Sequence, residues 1–355
     1  MKAAVVTRYG APEVLQIRDV PLPVPGAEEI LVRVRAIGLN FADIFGRFGV
    51  YPGTPKPPFI PGLEFSGEVV SWGEQVDGFA AGDRVMGYSR HGSHAEYLAV
   101  HCAHLAPVPE EMTFEQAASF IATGLTAYHG IVRLAGLRRG ERILVHAAAG
   151  GVGLASLQIA ADIGAEIFAT AGTDAKLELA RTHGAHHLIN YASTDFAREV
   201  RRICSGGGVD VVMDGVGGDV FRKSWAILEP MGRYVLFGVS AVTGRGALSR
   251  LKAAAVFARM GTLFPWQLIG KNKGIFGFNL GTLTGKEPYL REAAGAILAL
   301  NRRGVLRPVV GQVFRFEEIV AAHRHLQERK SVGKVVVTLD SPPAPFVPPG
   351  RDAAA

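Results

Sequence analysis

The chain has 355 residues, of which 48% are apolar and 44 are glycine, so it is long enough to form two domains. Its formal net charge is +6, but the basic residues are scattered along the sequence, which does not indicate nucleic-acid binding. Without a signal pattern or an apolar run of about eighteen residues, a cytoplasmic protein is expected. Cys102 and Cys204 form neither a disulfide framework nor a Cys-x-x-Cys metal signature.

The first third of the chain reads as short β segments, such as Ile30–Ala36 and Glu68–Val70, separated by proline and glycine turns. Four histidines follow in two His-x-x-His pairs around a strand-like stretch, 95–100. Three-residue spacing on a strand directs two side chains to opposite faces, so convergent metal ligands are not expected. We expect solvated or hydrogen-bonded histidines there; they are His91, His94, His101 and His104.

A glycine-rich turn then joins a strand-like pattern to a helical one. The strand pattern is Arg142–Val145, the turn is His146–Gly153 with sequence HAAAGGVG, and the helical pattern is Leu154–Ile163. Glycines let main-chain N–H groups approach a pyrophosphate, and the helix N-terminus adds partial positive charge. The order of the three elements therefore predicts a dinucleotide phosphate site. Its predicted residues are Gly150, Gly151, Val152 and Gly153.

Strand and helix patterns alternate after this turn, which predicts a parallel sheet wound on both sides. The strand-like segments are Glu166–Ala171, His187–Asn190, Val209–Met213 and Arg233–Phe237, and the helical ones are Ala175–His183 and Asp195–Cys204.

A basic segment, Thr243–Lys273, follows, with its cations interleaved with apolar residues at helical spacing. The favoured interpretation is a lid or subunit-contact helix, and the alternative is adhesion to an anionic membrane face. The cations are Arg245, Arg250, Lys252 and Arg259.

Several separated motifs give the chain a family resemblance. They are Ala36–Gly53, Pro61–Val70, Ala81–Gly87, Leu144–Gly153 and Val332–Val337. Together they resemble the medium-chain dehydrogenase/reductase superfamily, in its zinc-independent quinone oxidoreductase branch. Three further stretches are similar to vesicle amine transport protein homologues: Gly208–Gly218, Leu228–Gly238 and Gly277–Leu283.

The resemblance implies an α/β fold with a Rossmann-type doubly wound parallel sheet and a GroES-like β-rich domain. It implies a GroES-like catalytic domain from residues 1–122 plus 300–340 and a dinucleotide-binding domain from 123–299. The cleft between two such domains is the expected place for substrate. The proline-rich tail, 341–355, is predicted to be disordered.

The resemblance also bears on metal chemistry. Zinc-dependent members of the superfamily hold catalytic zinc with two cysteines and a histidine, and the surrounding motifs align Asn40, Leu63 and Ala122 with those positions. None of these three replacements forms a usual zinc site. We therefore expect no metal.

The end of the second strand of the nucleotide domain indicates the cofactor. NAD sites usually place an acid there for the ribose hydroxyls, but Asp174 reads instead as the N-cap of the next helix. In the resembled branch a lysine and a tyrosine contact the 2′-phosphate of NADPH, and Lys176 and Tyr191 match them. NADPH is therefore the expected cofactor, and the adjoining cofactor-binding residues are Gly172 and Thr173.

Without zinc, hydrogen-bond donors have to stabilise the oxygen that gains charge during hydride transfer. Asn40 and Tyr51 are the candidate donors, and Asp43 is expected to orient their loop or to cap the helix. A second tyrosine of the branch is replaced by Phe45, which removes one donor. The resemblance assigns further cofactor contacts to Thr126, Gly238, Ser240, Phe278, Asn279 and Lys334.

These features predict a zinc-independent NADPH-dependent reductase of quinones or α,β-unsaturated carbonyl compounds, a homodimer by family analogy. One alternative is an enoyl-thioester reductase of the polyketide-synthase type. Another is a nucleotide-binding adaptor of membranes or vesicles with little catalysis.

Overall fold

The computed structural model describes residues 1–243, 250–283 and 285–340, without the side chains of residues 250–252. The described residues form two compact units. The first takes them from Met1–Ala122, Gly281–Ala294 and Pro308–Ala355, and the second from Thr123–Leu280 and Gly295–Arg307. The domain ranges drawn from the sequence stay a prediction, and the tail 341–355 lies outside the described residues.

The strands are β1 Lys2–Val6, β2 Leu15–Asp19, β3 Glu29–Gly38, β4 Glu64–Trp72, β5 Arg84–Tyr88, β6 Tyr97–His101, β7 Leu105–Pro107, β8 Arg142–Val145, β9 Glu166–Ala171, β10 His187–Asn190, β11 Val209–Asp214, β12 Leu228–Leu236, β13 Gly274–Gly277, β14 Val310–Arg315 and β15 Lys334–Thr338. The α-helices are α1 Phe41–Arg47, α2 Phe114–Ala117, α3 Ile121–Tyr128, α4 Gly151–Ile163, α5 Asp174–Thr182, α6 Phe196–Ile203, α7 Asp219–Ala226, α8 Arg250–Met260, α9 Pro265–Lys271, α10 Glu287–Arg302 and α11 Ile319–Gln327.

In the first unit, the long strand β3 pairs antiparallel with β4, β6 and β15. β14 runs parallel to β15, and β5 and β7 extend the sheet beyond β4. Its core contains Val32, Ile37, Phe65 and Val337, and Trp72 packs against this core. Because β15 pairs with β3, Lys334 lies close to residues that precede it by about three hundred positions.

In the second unit, the described residues form a six-stranded sheet in the order β10-β9-β8-β11-β12-β13, with every pairing parallel. β8, β9 and β11 are buried along nearly their whole length, as expected when helices cover both faces. The core around Phe168, Val212 and Tyr234 includes Trp225 of α7. The predicted fold class is confirmed.

Several predicted elements have the expected bounds, and others differ for local reasons. β9 and β10 begin and end where the sequence indicated, whereas α4 begins at Gly151, because the glycine turn itself supplies the first helical turn. The described part of the basic segment forms two helices, with Pro265 starting the second. Arg245 lies outside the described residues, as do the side chains of Arg250 and Lys252.

Helix α9 leaves large apolar side chains at the surface: Trp266 is 66% and Ile269 78% exposed, and Phe264 stacks on Trp266. Across residues 1–243, 250–283 and 285–340, no helix combines the length and apolarity needed to cross a bilayer.

Candidate functional site

The glycine turn closes over the carboxyl end of β8. Ala147 has a φ of 50°, the N–H of Gly150 donates to the Ala147 carbonyl at 2.9 Å, and the N–H of Ala148 donates to the Thr170 carbonyl at 3.0 Å. Gly150 is the N-cap of α4, so no capping side chain occupies the helix start, and the first turn holds no acid. The N-terminal amides and the helix dipole are therefore suited to an anion.

Gly153 is the position in this turn that tolerates no side chain. A Cβ built there would lie 2.5 Å from the carbonyl oxygens of both Ala147 and Ala148. Main-chain atoms cannot yield as a flexible side chain does, so any larger residue displaces the turn. The cradle fits the phosphate group that the sequence predicted.

The tip of β9 brings together several of the predicted cofactor residues. A Cβ on Gly172 would lie 2.7 Å from the Tyr191 hydroxyl oxygen, so the tyrosine lies over this glycine. Thr173 caps α5 by accepting a hydrogen bond from the Lys176 N–H at 3.4 Å. The predicted cap at Asp174 was therefore wrong by one residue, because the threonine hydroxyl reaches that amide first.

The carboxylate of Asp174 points to another strand. Its Oδ1 accepts from the side-chain amide of Asn190 at 2.8 Å. Lys176 is half-buried, and this burial lowers the pKa of its ammonium. Tyr191 is half exposed. The tip of β9 therefore offers the ammonium of Lys176 and the hydroxyl of Tyr191 to a ligand, whereas the carboxylate of Asp174 is hydrogen-bonded to the neighbouring strand β10.

Two loops at the same edge of the sheet are tied to each other. Asp214, at the end of β11, accepts from the N–H groups of Val216 and Gly217 at 2.6 and 3.1 Å, so it shapes the loop that follows the strand. The N–H of Ser240 donates to the Gly215 carbonyl at 3.0 Å. A Cβ on Gly238 would lie 3.0 Å from the same carbonyl oxygen.

Phe278 contacts a histidine that the sequence reasoning missed. The rings of His129 and Phe278 meet edge to face, with centroids 4.6 Å apart. His129 begins a π-helical turn, His129–Leu134, directly after α3, which carries Thr126. Such turns are frequent at functional sites, but the sequence carries no signal for this one. Asn279 is the residue after Phe278, and it is partly exposed.

A buried polar cluster forms in the first unit around Asn40. Lys334 Nζ donates to Asn40 Oδ1 at 2.6 Å and to Glu64 Oε2 at 2.5 Å, with the lysine side chain 4% and the glutamate side chain 0% exposed. Glu64 Oε1 also accepts from the Ala122 N–H at 2.8 Å. Two of the three positions aligned with zinc ligands, Asn40 and Ala122, therefore surround a salt bridge.

The amide of Asn40 is engaged within this unit. Its Nδ2 donates to the Gly38 carbonyl at 3.0 Å and to Glu64 Oε2 at 3.3 Å. A substrate oxygen would have to replace one of these acceptors. Glu64 was missed because, within a strand pattern, it reads as an ordinary strand residue.

Asp43 is buried beneath the same loop. Its Oδ2 accepts from the Asn40 N–H at 2.7 Å, so it fixes the start of α1, and burial raises the pKa of its carboxyl to about 7. Tyr51 follows α1 and is partly exposed.

The prediction for the histidines was wrong for His94. Its ring is fully buried against that of His323, with centroids 5.2 Å apart, and neither ring has a hydrogen-bond partner within the described part of the chain. The turn before β6 carries His94 inward, which a strand pattern does not reveal. Among the described residues, no group of three or more His, Cys, Asp or Glu side chains is arranged to hold a metal ion.

Two family models match the chain. Residues 26–110 match the alcohol dehydrogenase GroES-like domain, and residues 183–337 match the zinc-binding dehydrogenase domain.

Similar proteins span nearly the whole chain. The synaptic vesicle membrane protein VAT-1 homolog of Rattus norvegicus is 36% identical over 95% of this chain and 84% of its own length. The crystal structure of Escherichia coli quinone oxidoreductase complexed with NADPH is 31% identical, with a TM-score of 0.84, over 96% of this chain and all of that one. The crystal structure of CurK enoyl reductase is 32% identical, with a TM-score of 0.82, over 95% and 98%. The chain therefore belongs to the medium-chain dehydrogenase/reductase superfamily, among its zinc-independent quinone oxidoreductase-like members.

Proposed function

We propose that this protein is an NADPH-dependent reductase that transfers hydride to quinones or α,β-unsaturated carbonyl compounds. The observation that carries the proposal is the turn from Ala147 to Gly153, whose glycine-capped helix start is free of acids and whose last glycine admits no Cβ. The NADPH complex of the similar E. coli enzyme supports the same cofactor.

The preference for NADPH rests on the tip of β9. A ribose that carries hydroxyl groups is recognised by an acid, but Asp174 is bonded to Asn190. Lys176 can neutralise a 2′-phosphate, and its partial burial strengthens that attraction. Tyr191, beside Gly172, offers a hydroxyl to the same group, and Thr173 fixes the first turn that carries the lysine.

Bound NADPH would supply the hydride, and the chain's own residues would orient the reactants and polarise the acceptor. We assign the polarising role to Asn40 and Tyr51, and the positioning of Asn40 to Asp43. Because the Lys334 ammonium already binds Asn40 and Glu64, we assign it an indirect role in orienting Asn40. The cofactor contacts on the second unit are assigned to Gly150–Gly153, Thr126, Gly238, Ser240, Phe278 and Asn279.

Two other functions are favoured by particular observations. Similarity to CurK enoyl reductase favours reduction of enoyl thioesters, and similarity to a vesicle membrane protein favours a membrane-associated adaptor. A cytoplasmic location and, by family analogy, a homodimer are also part of our proposal.

Measurements of NADPH oxidation with quinones, enals and enoyl thioesters as acceptors separate these functions. We expect turnover with at least one quinone or enal and slower turnover with enoyl thioesters. If NADPH binds without turnover of any acceptor while the protein co-sediments with anionic liposomes, the adaptor function replaces the reductase.

Replacing Lys176 with alanine is expected to raise the Michaelis constant for NADPH by about tenfold and that for NADH by less than about twofold, because only NADPH carries the 2′-phosphate. Steady-state kinetics with both cofactors measure this. Arg181→Ala is the control, because Arg181 lies on the same helix but pairs with Glu178. Equal effects of Lys176→Ala on both cofactors would reject the assignment.

Replacing Gly153 with alanine is expected to raise the dissociation constant for NADPH by at least about tenfold, because the new Cβ would displace two carbonyl groups of the turn. Gly295→Ala is the matched control, since Gly295 lies inside α10 and its Cβ would meet nothing within 4 Å. Fluorescence titration should show unchanged affinity for the control. An unchanged affinity for Gly153→Ala would contradict the proposed cradle.

A further inference from the structure

Helix α9 and the residue before it carry apolar side chains that the rest of the described chain leaves exposed. Trp266 and Ile269 lie three positions apart, on one face of the helix, and are 66% and 78% exposed. Phe264 stacks on Trp266, with ring centroids 4.7 Å apart and planes 9° from parallel. Leu268, by contrast, packs against the core of the second unit. The helix is therefore attached to the fold by one face while the other meets solvent.

Exposed aromatic rings are concentrated in this part of the chain. Within the described residues, every exposed phenylalanine and tryptophan lies between Phe257 and Phe276. Single apolar side chains are common at protein surfaces, but a group of neighbouring ones marks an interaction site. Tryptophan combines an apolar ring with one N–H group, which suits it to the boundary between hydrocarbon and water.

The same stretch of chain is basic and lacks acidic residues. Residues 230–286 contain eight lysines and arginines and no aspartate or glutamate. Lys271, the last residue of α9, is exposed. Asp219 of α7 reaches Arg259 from outside this stretch, but Arg222 shares the same carboxylate, so the acid offsets only part of the positive charge. A negatively charged partner is therefore complementary to this surface.

We propose that α9 is a docking surface for a bilayer that contains anionic phospholipids. Trp266, Ile269 and Phe264 would enter the headgroup region, and Lys271 would contact lipid phosphates. A second copy of the chain fits less well, because in a symmetric pair the surface meets itself and its cations would face cations. Helix α9 has seven residues, so it can lie on one leaflet but cannot cross the bilayer.

This inference goes beyond the proposed reductase, because it concerns neither the cofactor nor the acceptor. Its test uses vesicles and no NADPH, so failure of one proposal leaves the other standing.

Flotation with vesicles tests the apolar part of the surface. The wild-type protein should bind mixed phosphatidylcholine and phosphatidylserine vesicles at least about tenfold more strongly than phosphatidylcholine alone, and added salt should weaken binding. Trp266→Ser/Ile269→Ser should lower the partition coefficient at least about tenfold, because both exposed side chains lose their apolar surface. Val24→Ser/Val313→Ser is the matched control, since it removes apolar side chains that are 87% and 44% exposed on the first unit. Its binding should equal that of the wild type.

A charge reversal tests the basic part. Lys271→Glu should lower binding to the mixed vesicles by at least about fivefold, because it removes one attraction and adds one repulsion. Lys56→Glu changes the net charge equally on an exposed lysine of the first unit, so it is the control and should bind nearly as well as the wild type.

The fluorescence of Trp266 reports its surroundings directly. On addition of mixed vesicles, tryptophan emission should shift to shorter wavelength, and Trp266→Phe should still bind but lose the shift. Wild-type protein that binds no mixed vesicles, or binds both kinds equally, would overturn the proposal. So would a Trp266→Ser/Ile269→Ser variant that binds as the wild type does. Light scattering that shows the same variant converting a dimer to a monomer, without any vesicle binding by the wild type, would assign the surface to a second copy instead.

Discussion

Replacing Lys334 with methionine is expected to lower the free energy of unfolding by about 3–5 kcal/mol, because the Glu64 carboxylate would remain buried without its counter-charge. The loss should be large because Glu64 is fully buried and its other oxygen is already bonded to the Ala122 amide. Denaturation in urea, with the slope checked for two-state behaviour, measures the change.

The chain offers a matched control for this experiment. Lys223 binds Asp195 at the same distance of 2.5 Å, but both side chains are about two-fifths exposed. Lys223→Met should cost less than about 1 kcal/mol, since water screens that pair. The double variant Glu64→Gln/Lys334→Met should recover much of the loss, because it leaves no unpaired buried charge. A loss for Lys334→Met no larger than for Lys223→Met would contradict the buried ion pair.

Acidification from pH 7 to pH 5 is expected to destabilise the fold through histidines that are buried in the neutral form. Burial lowers the pKa of His94 to about 3 and that of His146 to about 4, and burial, with His94 and Arg47 nearby, lowers the pKa of His323 well below its usual value. When unfolded, these groups bind protons below about pH 6.5. Their stabilisation is therefore complete above pH 6.5 and declines as the pH falls toward their folded values.

At pH 5 the buried histidines and Asp43 change the free energy of unfolding in opposite directions. At pH 5, His94 and His146 should each lower the free energy of unfolding by about 2 kcal/mol, and His323 should lower it as well. Asp43 has the opposite effect. Burial raises its pKa to about 7, so between pH 7 and pH 5 the folded state binds a proton that the unfolded state does not, and this adds about 2 kcal/mol to the free energy of unfolding. A net loss of at least about 2 kcal/mol remains.

Unfolding in urea at a series of pH values measures the slope of the free energy of unfolding against pH. His94→Leu/His323→Leu should flatten it between pH 6.5 and 5, because two of the titrating groups are removed. A wild-type stability that is constant over this range would contradict the burial of neutral histidines.

Local sequence patterns predicted the second unit well, for a physical reason. In β9 and β10, apolar runs bounded by turn residues coincide with the strands, because a parallel sheet covered on both faces demands such runs. The glycine turn was also readable, since its glycines satisfy a requirement of the backbone itself.

Contacts between distant parts of the chain could not be read in this way. Glu64 and Lys334 are 270 residues apart, and neither position signals its partner in the sequence. The same holds for His94 and His323, whose burial depends on how a turn packs against α11. The partners of Asn40 could not be predicted for the same reason, because Glu64 and Lys334 come from β4 and β15.

The chain has three tryptophans, and the two units hold them in different surroundings. Trp72 packs against the core of the first unit, and Trp225 is buried in the core of the second, while Trp266 is exposed on α9. With Trp266 changed to phenylalanine, tryptophan fluorescence would come from one tryptophan in each unit. Variants that keep only Trp72 or only Trp225 would then show whether the two units melt together or one after the other.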